Sequence, residues 1–226
     1  MAAKNSRKIY VENTIYHVYN RGVEKRTIFA DPQDYNVFLG YLGEYLLPKN
    51  EVELYQKLSD PAISYWERDR ILKLLRLNNF AQEIDLISHA LMPNHIHFLL
   101  KQGQATSMDK FMNSLMTRFA GYFNRKYQRV GCLFQDVYKA VPIISEAQLL
   151  HVSRYIHNNP LDLGLGAQEH QLLYTSLPNY LGNKANSWVK PQIILDYFSR
   201  ENPRNSYASF IQETDNTEIL KNLILE

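Results

Sequence analysis

The chain has 226 residues, with 25 Lys and Arg against 23 Asp and Glu and a formal charge of only +2. Apolar residues make up 45% and charged ones 21%, with nine Gly and nine Pro, which excludes a disordered, collagen-like or repetitive chain. A single cysteine, Cys132, excludes an internal disulfide framework and a thiolate metal cage.

The N-terminal residues lack the apolar run of a signal peptide, and no stretch of about 18 apolar residues occurs, so a cytoplasmic protein with no membrane span is expected. Tyrosine is the unusual entry, with sixteen copies beside ten Phe and two Trp. It can serve as core bulk, as a stacking surface for bases or as a nucleophile, and composition does not choose among these. The near-neutral charge hides a pattern. Residues 1–30 carry six basic and two acidic residues, and residues 118–139 carry five and one. The stretches 31–117 and 140–226 are net acidic. Two separated basic segments can fold onto one face as a phosphate-binding surface, or each can be a solvated face.

In chain order, Thr14–Tyr19 is rich in β-branched and aromatic residues and reads as a strand. Asp31-Pro32 opens a helix, with Tyr35, Phe38, Leu39, Leu42 and Leu46 at helical spacing. The charged stretch 48–80 is helical around Tyr65–Leu77. Ile84–Leu91 and His95–Lys101 are two strands joined by a tight Met92-Pro93-Asn94 turn. A long helix spans Ser107 to Tyr127 with Phe111, Leu115, Phe119, Tyr122 and Phe123 on one side, and Val137–Ile144 is a fourth strand. Ser145, with Gln148 three residues on, opens a further helix that Pro160 ends. The tail holds two short helical candidates, 191–198 and 204–213. The order predicts an α+β fold, a ferredoxin-like or RRM-like antiparallel sheet (βαββαβ) with its helices on one face. A helical insertion at about 48–80 and a helical C-terminal extension complete it. The expected division is a catalytic domain over 1–165 and an extension over 166–226.

Three features carry chemistry. In Pro93-Asn94-His95-Ile96-His97-Phe98, a strand places both imidazoles on one face and Ile96 on the other. Such a pair can grip a divalent metal, although two ordinary surface histidines make the same pattern. In Arg154-Tyr155-Ile156-His157-Asn158-Asn159-Pro160, Tyr155 and Asn159 stand four apart and share one helix face, while Leu149, Val152 and Ile156 form a burying face. Position alone makes Tyr155 a packing residue as readily as a reactive one, and Asn159 a helix cap. Third, Thr117–Arg129 interleaves Arg118, Arg125, Lys126 and Arg129 with aromatics, which suits nucleic acid as well as an amphipathic helix with an aromatic core. No glycine-rich phosphate loop or nucleophile elbow is present.

Together the pieces resemble the single-tyrosine HUH transposases, specifically the REP-associated tyrosine transposase group. The matching stretches are Tyr16–Gly22, Leu91–Phe98, Phe123–Lys126, Phe134–Lys139 and Tyr155–Pro160, in the family's order, with weaker similarity over Tyr174–Gly182. The resemblance implies that His95 and His97 are metal ligands, Asn159 a third, and Tyr155 the nucleophile, with Mg²⁺ or Mn²⁺ as the ion. It implies cleavage and rejoining of single-stranded, hairpin-forming DNA through a 5′-phosphotyrosine, in a nucleoid-associated protein that acts as a monomer or a homodimer. Asn20, Arg21, Arg118, Arg125, Lys126, Arg129 and Lys139 are the expected DNA contacts. Asp136 and Val137 depart from the family's common Gly and Arg. Two other readings are a non-catalytic nucleic-acid-binding module and a phosphodiesterase in which water attacks.

Overall fold

A computed structural model of the chain describes residues 10–162, 172–183 and 186–213. The expected helical extension is therefore described from 172 onward only in part.

The core is a four-stranded sheet in the order β2-β3-β1-β4, with every neighbouring pair antiparallel. Its strands are β1 (Ile15–Arg21), β2 (Ile84–Met92), β3 (His95–Gln102) and β4 (Lys139–Pro142). Between them run α1 (Pro32–Leu46), α2 (Glu51–Leu58), α3 (Tyr65–Arg76) and α4 (Ser107–Lys126), and α5 (Glu146–Asn158) follows β4. This is the expected α+β, ferredoxin-like arrangement.

Alternation along the strands sorts side chains into two layers. Val18, Ile96, Phe98 and Leu100 face α1 and α4 and bury with Phe38, Leu42, Phe111, Leu115 and Phe119. Each fully buried aromatic here contributes about 1.5–3 kcal/mol from area removed from water. The opposite face packs Ile87, Ala90 and Leu99 against Leu149, Val152 and Ile156 of α5. Helices therefore cover both faces, which corrects the expectation of helices on one. The reason lies in α5: its apolar stripe needs a second apolar surface, and a bulge between Leu86 and Ser88 brings Ile87 onto that face.

The helix starts follow their local chemistry. Asp31 accepts from the Asp34 amide at 3.1 Å, and Asp34 returns the bond to the Asp31 amide. Ser145 Oγ accepts from the Gln148 amide at 3.2 Å, while Gln148 Oε1 reaches back to the Ile144 amide at 2.9 Å. The 48–80 stretch forms two helices instead of one, because Asn50 caps a helix of its own through the Glu53 amide. β4 is four residues long, shorter than the expected 137–144, since Asp136 Oδ1 takes the Val137 amide and holds that residue in the preceding turn. The candidates at 191–198 and 204–213 reduce to single turns, Gln192–Leu195 and Tyr207–Phe210, joined by Leu177–Tyr180. The C-terminal segment also lies along β2, with bridges from Thr175 to Ala90 and from Val189 to Leu86. Nine of the sixteen tyrosines are buried, Tyr10, Tyr35, Tyr45 and Tyr180 among them, so packing accounts for most of the excess.

Candidate functional site

β3 presents His95 and His97 on the α5 side of the sheet, with ring centroids 4.9 Å apart and planes at 89°. Ile96 between them is fully buried in the opposite layer. α5 crosses above, and its packing stripe turns Tyr155 toward the histidines. The Tyr155 ring stands edge-on to His97 at 5.5 Å and to His17 at 6.0 Å. One turn further on, Asn159 Oδ1 lies 3.3 Å from His95 Nε2. The four residues singled out in sequence, His95, His97, Tyr155 and Asn159, thus meet at one place.

Hydrogen bonds determine which atoms face inward. Asn94 Oδ1 accepts from His95 Nδ1 at 2.6 Å, so His95 turns an Nε2 lone pair toward Asn159. Asn159 Nδ2 donates to the Tyr155 carbonyl at 2.9 Å, which leaves its Oδ1 as the atom facing His95. Two acceptors therefore point at each other across 3.3 Å, and a proton or a cation between them satisfies both. His97 is fully buried, and its Nε2 has no hydrogen-bond partner. Burial first, then the charges of His17, His95 and Arg21, hold His97 well below the ordinary imidazole range, so it is neutral near pH 7. Two imidazole nitrogens and an amide oxygen fit a divalent ion, whose adjacent ligands stand about 3 Å apart in octahedral coordination. Among the described residues no group of three or more His, Cys, Asp and Glu is placed to hold a metal, and the set here relies on an amide for its third donor.

His17, which the sequence does not single out, completes the cluster. It lies on β1, two residues from Tyr19, the partner of His97 in the antiparallel register, so it shares their face, and its Nε2 is 3.0 Å from His97 Nδ1. The signal was present in the alternation of His17, Tyr19 and Arg21 on one face of β1, but their neighbours depend on strand pairing.

Beside the histidines, a groove of about 260 Å³ is lined by Tyr19, Asn20, Arg21, Lys25, Gln135, Asp136, Val137 and Lys139. Arg21 is paired with His95 across the strands, and Lys139 Nζ stands 5.7 Å from the Tyr19 ring centre. The predicted residues Arg21 and Lys139 thus border the site. Asn20 lines the same groove, and its amide donates to the Asp136 carbonyl. A larger cavity, about 520 Å³, lies past Asn20 against Met112, Met116 and Phe134 of the opposite layer, away from the histidines.

The basic residues of the α4 region are not brought to the histidines, because α4 packs on the opposite face of the sheet. Lys126 bonds Asp31 and Asp34, each at 2.7 Å, and these contacts raise its pKa against the opposing effect of burial. Arg118 pairs with Glu44 at 2.5 Å over the Tyr41 ring. Arg129 donates to Asn124 Oδ1, and Arg125 lies near Gly121. Lys126 and Arg118 thus do not share the histidine face with Arg21 and Lys139, and they pair instead with Asp31, the N-cap of α1, and with Asp34 and Glu44 within it.

Residues 52–159 match the family model described as "Transposase IS200 like", a segment holding His95, His97, Tyr155 and Asn159. Over those 108 of its 226 residues the chain is similar to the IS200-like transposase family. The match begins within the stretch read as an insertion. Among solved structures, the chain is similar to a REP-associated tyrosine transposase bound to a REP hairpin, at 10% identity and a TM-score of 0.42 over 83% of this chain and 92% of that one. It is also similar to a candidate transposase of Deinococcus radiodurans R1 (17%, TM-score 0.28, 68% and 96% covered). A third likeness is to the tRNA(His) guanylyltransferase of Saccharomyces cerevisiae (11%, TM-score 0.34, 97% and 81% covered). No curated protein matches the chain. No helix among the described residues is long and apolar enough to cross a membrane.

Proposed function

We propose that the protein cleaves and rejoins single-stranded DNA by transesterification, in the manner of a REP-associated tyrosine transposase acting at hairpin-forming repeats. The observation that carries this reading is the meeting of Tyr155 and Asn159, one helical turn apart on α5, with His95 and His97 on β3. His95, His97 and Asn159 would hold Mg²⁺ or Mn²⁺, which when bound polarises the scissile phosphate and stabilises charge developing on it.

Tyr155 is the nucleophile. Its phenol oxygen forms a bond to phosphorus as the bond from phosphorus to the 3′ oxygen breaks. The products are a 5′-phosphotyrosine and a strand ending in a 3′-hydroxyl. An ordinary tyrosine has a pKa of about 10, so the phenol proton leaves during attack, to water, and the departing 3′ oxygen takes one up. A 3′-hydroxyl of a second strand then attacks the phosphotyrosine, so the phosphodiester is exchanged and no nucleotide is hydrolysed. Arg21 and Lys139 border the groove beside the histidines and pair with flanking phosphates, a contribution that weakens with salt.

The test is incubation with single-stranded hairpin DNA and Mg²⁺ or Mn²⁺, reading for a covalent protein–DNA adduct. Tyr155→Phe should abolish adduct and cleavage while leaving DNA binding intact. Cleavage without a protein–DNA linkage would instead support attack by water. Binding without cleavage across a broad DNA library, in folded and metal-loaded protein, would support a non-catalytic module.

A further inference from the structure

Resting on the reading of His95, His97 and Asn159 as a metal-holding set, we propose that His17 is a positioning residue that fixes the tautomer of His97 and aims its Nε2 lone pair at the ion. His17 and His97 are both fully buried, and their rings lie nearly parallel at 5.2 Å with 18° between planes. One proton occupies the 3.0 Å contact between His17 Nε2 and His97 Nδ1. If His17 donated it, His97 would carry its own proton on Nε2. That atom is buried and has no partner, and an N–H there would be unsatisfied with no lone pair to offer. If His97 donates from Nδ1, its Nε2 is a bare lone pair, and a cation then satisfies it. Only the second arrangement is relieved by binding.

Metal-bound histidines are usually oriented by an acceptor on their other ring nitrogen, often a carboxylate. A neutral imidazole in that place orients His97 without adding negative charge beside a site that must admit phosphate. Asn94 plays the matching part for His95, again with a neutral acceptor. His17 is not itself a ligand in this arrangement, because its Nε2 is turned to His97.

The experiment measures Mn²⁺ affinity of the full chain without DNA, by calorimetry and by the spin-resonance signal of free Mn²⁺. His17→Phe keeps a ring in the pocket and removes the acceptor, and should weaken Mn²⁺ binding about tenfold or more. His17→Gln restores an acceptor oxygen and should recover most of the loss. If His17→Phe binds Mn²⁺ as the unaltered protein does while His97→Ala does not, the role assigned to His17 is wrong and the metal reading stands. If His97→Ala also binds normally, the metal reading fails and the inference falls with it. Should His17→Phe not fold, ¹⁵N spectra of the unaltered, metal-free protein decide. The expected result is a His97 Nδ1–H coupled to His17 Nε2, and a His97 proton on Nε2 would overturn the inference.

Discussion

His157 lies two residues beyond Tyr155, and replacing it with glutamine tests how the fold holds the helix that bears the tyrosine. The imidazole is buried between Tyr207 OH at 2.6 Å and Ser176 Oγ at 2.7 Å, so it ties α5 to two parts of the C-terminal segment. Burial, and next the nearby His89, push its pKa down from 6.5 to about 3. A pKa depressed on folding means that the stabilisation is complete above the unfolded value. It is lost as pH falls toward the folded value, because only the unfolded chain takes up the proton. Between roughly pH 7.5 and pH 4 this one group removes about 3 kcal/mol, or roughly 6–12 °C in Tm for a chain of this size. His157→Gln cannot titrate and can keep one donor and one acceptor. At neutral pH it should be about 1–2 kcal/mol less stable, from poorer hydrogen bonds. The two stability curves should then cross as the pH falls. Urea unfolding across the pH range measures this directly, and contributions common to both proteins, His97 among them, cancel in the difference. Parallel curves, or a His157 ring that titrates near 6.5 by NMR, would refute the reasoning.

Asp34 accepts from Ala30, Tyr122, Lys126 and Tyr127 while fully buried, so Asp34→Ala should cost about 3–5 kcal/mol, seen as a fall in Tm. Burial would raise the Asp34 pKa, but its bonds to Lys126 and Tyr127 lower it overall. Its stabilisation is therefore present above the ordinary carboxylate pKa and lost in acid, and Asp34→Ala should flatten the acid limb of the unfolding profile. At Gly22 a Cβ would fall within contact distance of the Arg26 carbonyl oxygen and 2.8 Å from Ile28 Cγ2. Gly22 also donates to the Asn94 carbonyl at 2.8 Å, so Gly22→Ala should cost about 1–3 kcal/mol and weaken Mn²⁺ binding by shifting Asn94 and His95. Lys139→Ala should weaken single-stranded DNA binding and reduce the slope of log affinity against log salt by about 0.7, the share of one phosphate contact on a single strand. Lys126→Ala, by contrast, should leave that slope unchanged and lower stability.

What could be read from the sequence is what depends on local period. His95 and His97 share a face because strands alternate, and Tyr155 and Asn159 share one because helices return after about four residues. The capping signals at Asp31 and Ser145 likewise act within one turn. Less legible was whatever depends on partners distant in the chain. His17 matters because β1 pairs with β3, and the alternation of β1 does not reveal that register. Lys126 and Arg118 read as free cations because Asp31, Asp34 and Glu44 come from another helix. The second face of the sheet was hidden for the same reason, since a bulge at Ile87 has no mark in composition or period.

The division of labour along α5 follows from these contacts. Val152 and Ile156 pack on the sheet, and His157 bonds Tyr207 and Ser176. Arg154, fully buried, reaches the Phe210 carbonyl and Glu213, and Asn158 donates to the Ile211 carbonyl. Those residues fix the rotation and height of the helix from several sides, and the same rotation points Tyr155 and Asn159 at the histidines. A helix held only by its apolar stripe could slide or roll by a fraction of a turn, which would move a tyrosine oxygen by more than the tolerance of an in-line attack. Attaching the helix that carries Tyr155 to the C-terminal segment of its own chain removes that freedom, and it makes Ser176, Tyr207, Phe210, Ile211 and Glu213 part of the site's geometry even though they supply none of its proposed reactive groups.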